Sequence, residues 1–256
     1  MKNSDIQIVS CGYCTQYEKF IAKSGKLEKI KFPANSFLIP LTEGFILFDT
    51  GYAANFDEYK TNFLVNLYSK ILPTNIGNES SCYSQLKSKG IDTDNIKYVF
   101  ISHFHPDHTG GLKDFREQKF LCSRNEYKNL KGIRKNFAEL FLPKDFESRV
   151  VFVEDFEEDR IFPEFKSYKI ESDVWAVCLP GHTEYQYGIY SGKNNVLIVA
   201  DAIWSDRAYK KSEYPSRFAM NIMENKKLYK ETVEKLKALY ERENVRILYS
   251  HQEDVL

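Results

Sequence analysis

Apolar positions along the chain recur mostly in short runs, and their spacing predicts strands first. "DIQIV" (5–9) alternates weakly and "KLEKIKF" (26–32) more clearly, with the period of two that a half-buried strand requires. "SFLIPL" (36–41) and "FILFDTG" (45–51) flank Thr42-Glu43-Gly44, which predicts a hairpin. In 55–72, Phe56, Tyr59, Phe63, Leu67 and Ile71 recur at spacings of three and four, which predicts a helix with one buried face. "ESSCYSQLKSKG" (79–90) reads as a short helix ending at Gly90, the residue type favoured just past a helix end. "KYVFIS" (97–102) is an apolar run that predicts a buried strand.

The block from 113 to 170 is rich in charge and Phe and mixes short strands with helices. "VWAVCL" (174–179), "YQYGIYS" (185–191) and "NVLIVAD" (195–201) predict three more strands, and "VRILYS" (245–250) a last one. Between them, 225–243 is the strongest helix. Leu228, Val233, Leu236, Leu239 and Tyr240 line one face, with charge opposite. Strands, helices and strands again predict an α/β sandwich, two sheets covered by helices.

The pattern has a functional side. Asp49, the cluster 103–108, His182, Asp201 and His251 each lie just after the C-terminal end of a predicted strand. Loops at strand ends are exposed yet held by a rigid scaffold, so polar segments sharing that placement are expected to converge.

Charge and composition narrow the classes. Lys+Arg and Asp+Glu both total 36 in the 256 residues, so the chain lacks the basic footprint of a nucleic-acid binder. The stretch "KNLKGIRKN" (128–136) reads as a solvated face. The N-terminal "MKNSDIQIVSCGYC" has no long apolar segment of a signal peptide. No apolar run approaches the roughly 18 residues that span a bilayer. The five cysteines are odd in number and scattered, so no disulfide framework is expected and a reducing cytoplasm fits. Cys11-Gly-Tyr-Cys14 reads as buried small residues in a turn between the first strands. The expected partner is a small-molecule substrate, with neither nucleic acid nor membrane, and no feature sets an oligomeric state.

The chemistry concentrates in "SHFHPDHTGG" (102–111). In an extended segment, His103 and His105 point to the same side and can grip one cation. Pro106 redirects the chain, so Asp107 and His108 can face a second point. Zinc favours four ligands drawn from His, Cys and carboxylate. Only two other histidines exist, His182 and His251, and one for each cation gives a third ligand. Asp201 could bridge both ions with its two oxygens. Five histidines and two aspartates then make two sites, each with an open position of the kind a catalytic zinc keeps.

These residues resemble a known family. "SHFHPDH" matches the H-x-H-x-D-H signature of the metallo-β-lactamase-fold hydrolases, and "FDTG" (48–51), "PGHT" (180–183), "AD" (200–201) and "SH" (250–251) match its other motifs in the same order. The resemblance spans about residues 5–251 and implies a single hydrolase domain over 1–256, with an αββα sandwich. It implies that His103, His105 and His182 hold one divalent cation, that Asp107, His108 and His251 hold a second, and that Asp201 bridges them. Zinc is the first choice, with manganese or iron compatible. Asp49 would not touch the metals; it would orient the loops around them.

Two divalent cations about 3.5–4 Å apart can share a water and lower its pKa toward neutrality. The implied reaction is metal-assisted hydrolysis, with Asp107 and Asp201 as the catalytic carboxylates and Asp107 passing a proton to the leaving group. The layout "FPANSFLIPLTEGFILFDTGY" resembles the lactonase branch, which includes the N-acyl-homoserine lactone lactonases. A lactone or other carboxylic ester is therefore the expected substrate. A thioester, as in glyoxalase II relatives, or a phosphodiester is the alternative, and metal-dependent ligand sensing is the non-enzymatic one. Three positions depart from that branch. Trp204 stands where a tyrosine commonly hydrogen-bonds the substrate carbonyl, Gln186 replaces a histidine, and Gln252 stands where an aspartate is frequent. The aromatic set Tyr185, Tyr187, Trp204, Tyr209, Tyr214 and Phe218 fits either a substrate pocket or core.

Overall fold

The computed structural model describes residues 5–77 and 81–253. Positions 79 and 80, which open the predicted helix ending at Gly90, lie outside these residues. So do the first four positions of the stretch read for a signal peptide. The chain divides into two compact units. One holds the chain up to Thr15 together with Phe32–Phe152; the other holds Gln16–Lys31 and the chain from Val153 onward.

The first sheet has seven strands: β1 (Gln7–Tyr17), β2 (Lys29–Pro40), β3 (Phe45–Phe48), β4 (Thr74–Asn75), β5 (Ile96–Ile101), β6 (Lys119–Cys122) and β7 (Val150–Phe152). Their order is β4-β1-β2-β3-β5-β6-β7. β2 and β3 form the expected hairpin, with Phe37 opposite Phe48 and Pro40 opposite Phe45. The turn closes as the Leu41 N–H donates to the Gly44 carbonyl at 3.0 Å. β3, β5, β6 and β7 run parallel. Parallel strands are covered on both faces and read as apolar runs, as β5 does from Tyr98 to Ile101; Val99 and Ile101 join Phe104 and Phe120 in one buried cluster. Because β3 and β5 point the same way, Asp49 and His103 emerge at the same sheet edge.

The second sheet has six strands: β8 (Glu157–Glu158), β9 (Ser167–Glu171), β10 (Val174–Cys178), β11 (Tyr187–Ser191), β12 (Val196–Ile198) and β13 (Arg246–Leu248). Their order is β13-β12-β11-β10-β9-β8. β10 and β12 are both antiparallel to β11, and β13 is parallel to β12. β10, β12 and β13 therefore point the same way, and the loops carrying His182, Asp201 and His251 leave from one edge. The helix Lys226–Glu243 starts at Asn225, whose side chain accepts the Leu228 N–H, an N-cap of the preferred type. It packs Val233, Leu236 and Leu239 against Val177, Leu179 and Leu197. Tyr229 and Thr232 are buried on the same helix.

Three local expectations are corrected. Segments 26–32 and 36–41 are not separate strands, because β2 runs unbroken from Lys29 to Pro40. Pro33 removes one backbone donor there without ending the strand. Cys11 and Cys14 lie inside β1 rather than in a turn, and Gly12, at φ 86°, lets that strand deform without ending. No disulfide joins the five cysteines among the described residues. The region 55–72 is not one helix: a 3-10 helix Phe56–Thr61 precedes an α-helix Phe63–Ile71. Asn62 interrupts with extended backbone and caps the second helix by accepting the Leu64 N–H at 2.9 Å. The break turns the expected face outward, leaving Phe63 77% and Ile71 66% exposed while Val65 is buried. Among the described residues no helix is long and apolar enough to cross a membrane.

Candidate metal centre

In the first unit, Pro106 opens a short helix, Pro106–Thr109, directly after the extended His105 (φ −87°, ψ 155°). Pro suits a first helical position because its missing N–H has no partner to lose there. The chain therefore passes from extended to helical between the two halves of the cluster. His103 Nε2 lies 3.0 Å from His105 Nδ1. The His103 and His108 ring centroids are 4.1 Å apart. Asp107 Oδ2 is 3.7 Å from His108 Nε2.

Asp49 organises this half. It is fully buried and sits at φ 57°, a left-handed conformation that Asp tolerates better than most residues. Its Oδ1 accepts the Ser102 N–H and its Oδ2 accepts the Ser102 hydroxyl, both at 2.8 Å. Oδ2 also faces His108 Nδ1 at 2.7 Å. A carboxylate only accepts, so Nδ1 of His108 carries the proton and the Nε2 lone pair is left for a cation. Ser102 Oγ is 3.0 Å from His103 Nδ1, so His103 likewise presents Nε2. Burial pushes the Asp49 pKa up, while His108 and the Ser102 hydrogen bonds pull it down. Thr50 adds backbone order: its N–H and its hydroxyl both donate to the His108 carbonyl, at 2.9 and 3.0 Å. Gly110 then leaves the cluster against the backbone of the segment after Asp49. A Cβ there would meet the Ala53 nitrogen at 2.3 Å.

The geometry around Asp49 sets an expectation for Asp49→Asn. An amide replaces one accepting oxygen with a donor, which must face either Ser102 or the His108 Nδ1–H. Metal affinity should fall about 10–100-fold, measured by competition with a chelator. Retention of wild-type affinity would show that Asp49 does not support metal binding.

In the second unit, Asp201 lies in a 3-10 turn, Ala200–Ala202, after β12. Ala200 adopts φ 48°, a conformation costing a non-glycine residue about 1–2 kcal/mol. Such strain gathers at sites whose geometry the surroundings over-determine. Asp201 Oδ1 is 3.0 Å from His251 Nε2, and Oδ2 is 3.3 Å from His182 Nε2. Two backbone bonds tie the Asp201 and His251 loops together: Val199 N–H to the Leu248 carbonyl at 2.8 Å and Ser250 N–H to the Ala200 carbonyl at 3.4 Å.

His182 is fixed by the segment leading into the helix Lys226–Glu243. The Glu224 N–H donates to the His182 carbonyl and the Asn225 N–H to the Gly181 carbonyl, both at 3.0 Å. Thr232 Oγ1 donates to the Pro180 carbonyl at 2.7 Å. His182 Nδ1 lies 3.4 Å from Met223 Sδ, leaving Nε2 toward Asp201. Gly181 has φ 139°, and a Cβ there would sit 2.2 Å from the Tyr229 Cα.

The aromatic set separates. Tyr209 is 5% exposed inside the second unit's core, and its ring meets Tyr240 edge-on at 5.0 Å, so it takes the core alternative rather than a pocket wall. Trp204 is half-buried; its indole N–H donates to Asp201 Oδ2 at 3.0 Å. Tyr185 is half-buried beside the His182 loop, and Phe218 is exposed. Gln186 is fully buried, and neither amide atom has a hydrogen-bond partner among the described residues. Ser102, Met223 and Tyr229 are the residues that sequence reasoning missed. Ser102 sits beside His103 but gives no signal of its own, and the other two are adjacent to the site only through the fold.

The chain is similar to several known proteins. N-acyl homoserine lactonase AttM of Azorhizobium caulinodans is 25% identical over 187 residues, 69% of this chain and 65% of the relative. The chain thus spans just under two thirds of that relative's length. N-acyl homoserine lactonase AiiA of Bacillus thuringiensis subsp. kurstaki is 24% identical over 233 residues, 89% of this chain and 83% of the relative. Among solved structures, an N-acyl homoserine lactone hydrolase with the product N-hexanoyl-L-homoserine at its catalytic metal center superposes with a TM-score of 0.73. It is 18% identical and covers 98% of this chain and 94% of its own. That similarity identifies the fold, two mixed sheets with helices. The model of the metallo-beta-lactamase superfamily matches residues 30–243, and the chain belongs to that superfamily.

Proposed function

We propose that the protein is a metal-dependent hydrolase acting at a dinuclear centre on a lactone or other carboxylic ester. The observation that carries this reading is the placement of Asp201. Its Oδ2 lies 3.3 Å from His182 Nε2 and 3.2 Å from His251 Nε2, and its Oδ1 lies 3.0 Å from His251 Nε2. A buried carboxylate set between two imidazoles is placed to serve a cation held by each. The donor chemistry fits: each histidine other than His105 that was traced above offers Nε2, and groups of His and Asp of this kind can hold an ion.

In the proposed assignment, His103, His105 and His182 hold one cation, Asp107, His108 and His251 hold the other, and Asp201 serves both. Zinc suits this set of nitrogen and oxygen donors; manganese and iron are compatible. Bound cations supply an activated water and polarise the carbonyl under attack. The chain's own residues do the rest. Asp49 and Ser102 hold the His103 and His108 rings in one tautomer. Asp107, whose side chain is 14% exposed, accepts a proton and returns it to the alkoxide as the ester C–O bond breaks. Water adds across that bond, and a lactone opens to a hydroxy acid.

The relatives named above support the lactone reading, since two are lactonases and the third holds a ring-opened product. The chain acts as one catalytic domain, and cysteines outside any disulfide fit a reducing cytoplasm. The purified protein should open N-acyl homoserine lactones faster than it cleaves thioesters or phosphodiesters, and a chelator should abolish the activity. A larger kcat/KM on a thioester or phosphodiester would replace the substrate class, and chelator-insensitive turnover would remove the metals.

A further inference from the structure

We propose that Trp204 is a positioning residue that braces Asp201 for metal binding; the inference rests on the dinuclear reading above. Asp201 stands on a single 3-10 turn beginning at the strained Ala200. A short turn after a three-residue strand does little to fix an aspartate's side-chain torsions. Ile203, extended at φ −143° and ψ 153°, carries the chain onward so that Trp204 folds back. Its indole N–H donates to Asp201 Oδ2 at 3.0 Å. The same ring meets the His182 imidazole edge-on, with centroids 5.6 Å apart and planes at 69°.

One side chain therefore contacts two of the proposed ligands. It is itself anchored, because it packs against the buried core that includes Ile203, Tyr209, Met223 and Val233. Each carboxylate oxygen has two lone pairs, so Oδ2 can accept the indole N–H and still bind a cation. The indole has one N–H and no acceptor. Spent on Asp201, it offers a substrate only a ring surface. Trp204 thus works through Asp201, on the orientation of the carboxylate, rather than by donating to substrate.

Partners of this kind change metal affinity about 10–100-fold when removed. The test is a zinc titration of metal-stripped protein against a competing chelator. Wild type, Trp204→Phe and a variant carrying 3-benzothienylalanine at 204 are compared. The benzothiophene keeps the bicyclic shape and removes only the N–H, so it remains informative if Trp204→Phe fails to fold. Melting curves of the metal-free proteins report folding separately. Both variants should bind their zinc about 10–100-fold more weakly than wild type. The chain has two tryptophans, so in Trp175→Phe the indole emission comes from Trp204 alone and should change as zinc is added. A benzothienyl variant that binds zinc as tightly as wild type, or emission unmoved while zinc binds, overturns the brace and leaves the dinuclear reading standing. Wild type that binds no zinc overturns both.

Discussion

Asp201→Ala should abolish the two-metal state. The carboxylate is 3% exposed and lies between His182 Nε2 and His251 Nε2, within 3.3 Å of each. Alanine removes the only group proposed to serve both cations. The purified variant should hold fewer than two metals per chain, and lactone turnover should fall by more than the roughly 100-fold expected for a supporting residue. Metal-free stability should also drop by about 1–3 kcal/mol, because two buried imidazoles lose an acceptor. Elemental analysis of the variant decides it: unchanged stoichiometry would argue against bridging. Asp201→Asn is the shape-matched control, and the loss should persist in part, since one accepting oxygen becomes a donor.

Gly181→Ala should be the most disruptive single methyl group near the centre. Its Cβ would sit 2.2 Å from the Tyr229 Cα and 2.3 Å from the Tyr229 nitrogen. Both are backbone atoms of the helix Lys226–Glu243, so no side-chain rotation relieves the overlap. Position 181 also has φ 139°, where only glycine is unstrained. Overpacking and backbone strain together should cost about 2–5 kcal/mol. The clash falls between the helix and the loop that holds His182, so metal affinity should fall with stability. Chemical denaturation of both metal-free proteins checks the first effect. Equal midpoints and slopes would contradict the close packing described here.

The parts legible in the sequence are those where one local period meets one burial environment. β5, β10 and β11 are apolar runs inside their sheets, and the helix Lys226–Glu243 carries a clean stripe. The histidines were legible through their scarcity: every one follows a strand end, and parallel strand directions place those ends at common edges. What sequence reading missed is set by contacts remote along the chain. Ser102 matters because Asp49, 53 positions earlier, accepts from its backbone and hydroxyl. Met223 meets His182 across 41 positions. Tyr229 is buried because Gly181 lets the His182 loop approach its backbone. The stripe of 55–72 misleads for the opposite reason, since a cap at Asn62 breaks the helix and turns Phe63 and Ile71 to solvent. Trp204 was visible as a departure from the lactonase branch that the sequence resembles. That its N–H goes to Asp201 is visible only in three dimensions.

The metal content of purified wild-type protein, followed through chelation and re-addition while lactone hydrolysis is recorded, tests the proposed two-metal hydrolase directly. Purified protein should carry two divalent cations per chain, lose activity as they are removed and regain it as two equivalents return. Full hydrolysis by protein carrying no metal, or one cation per chain at full activity, would contradict it.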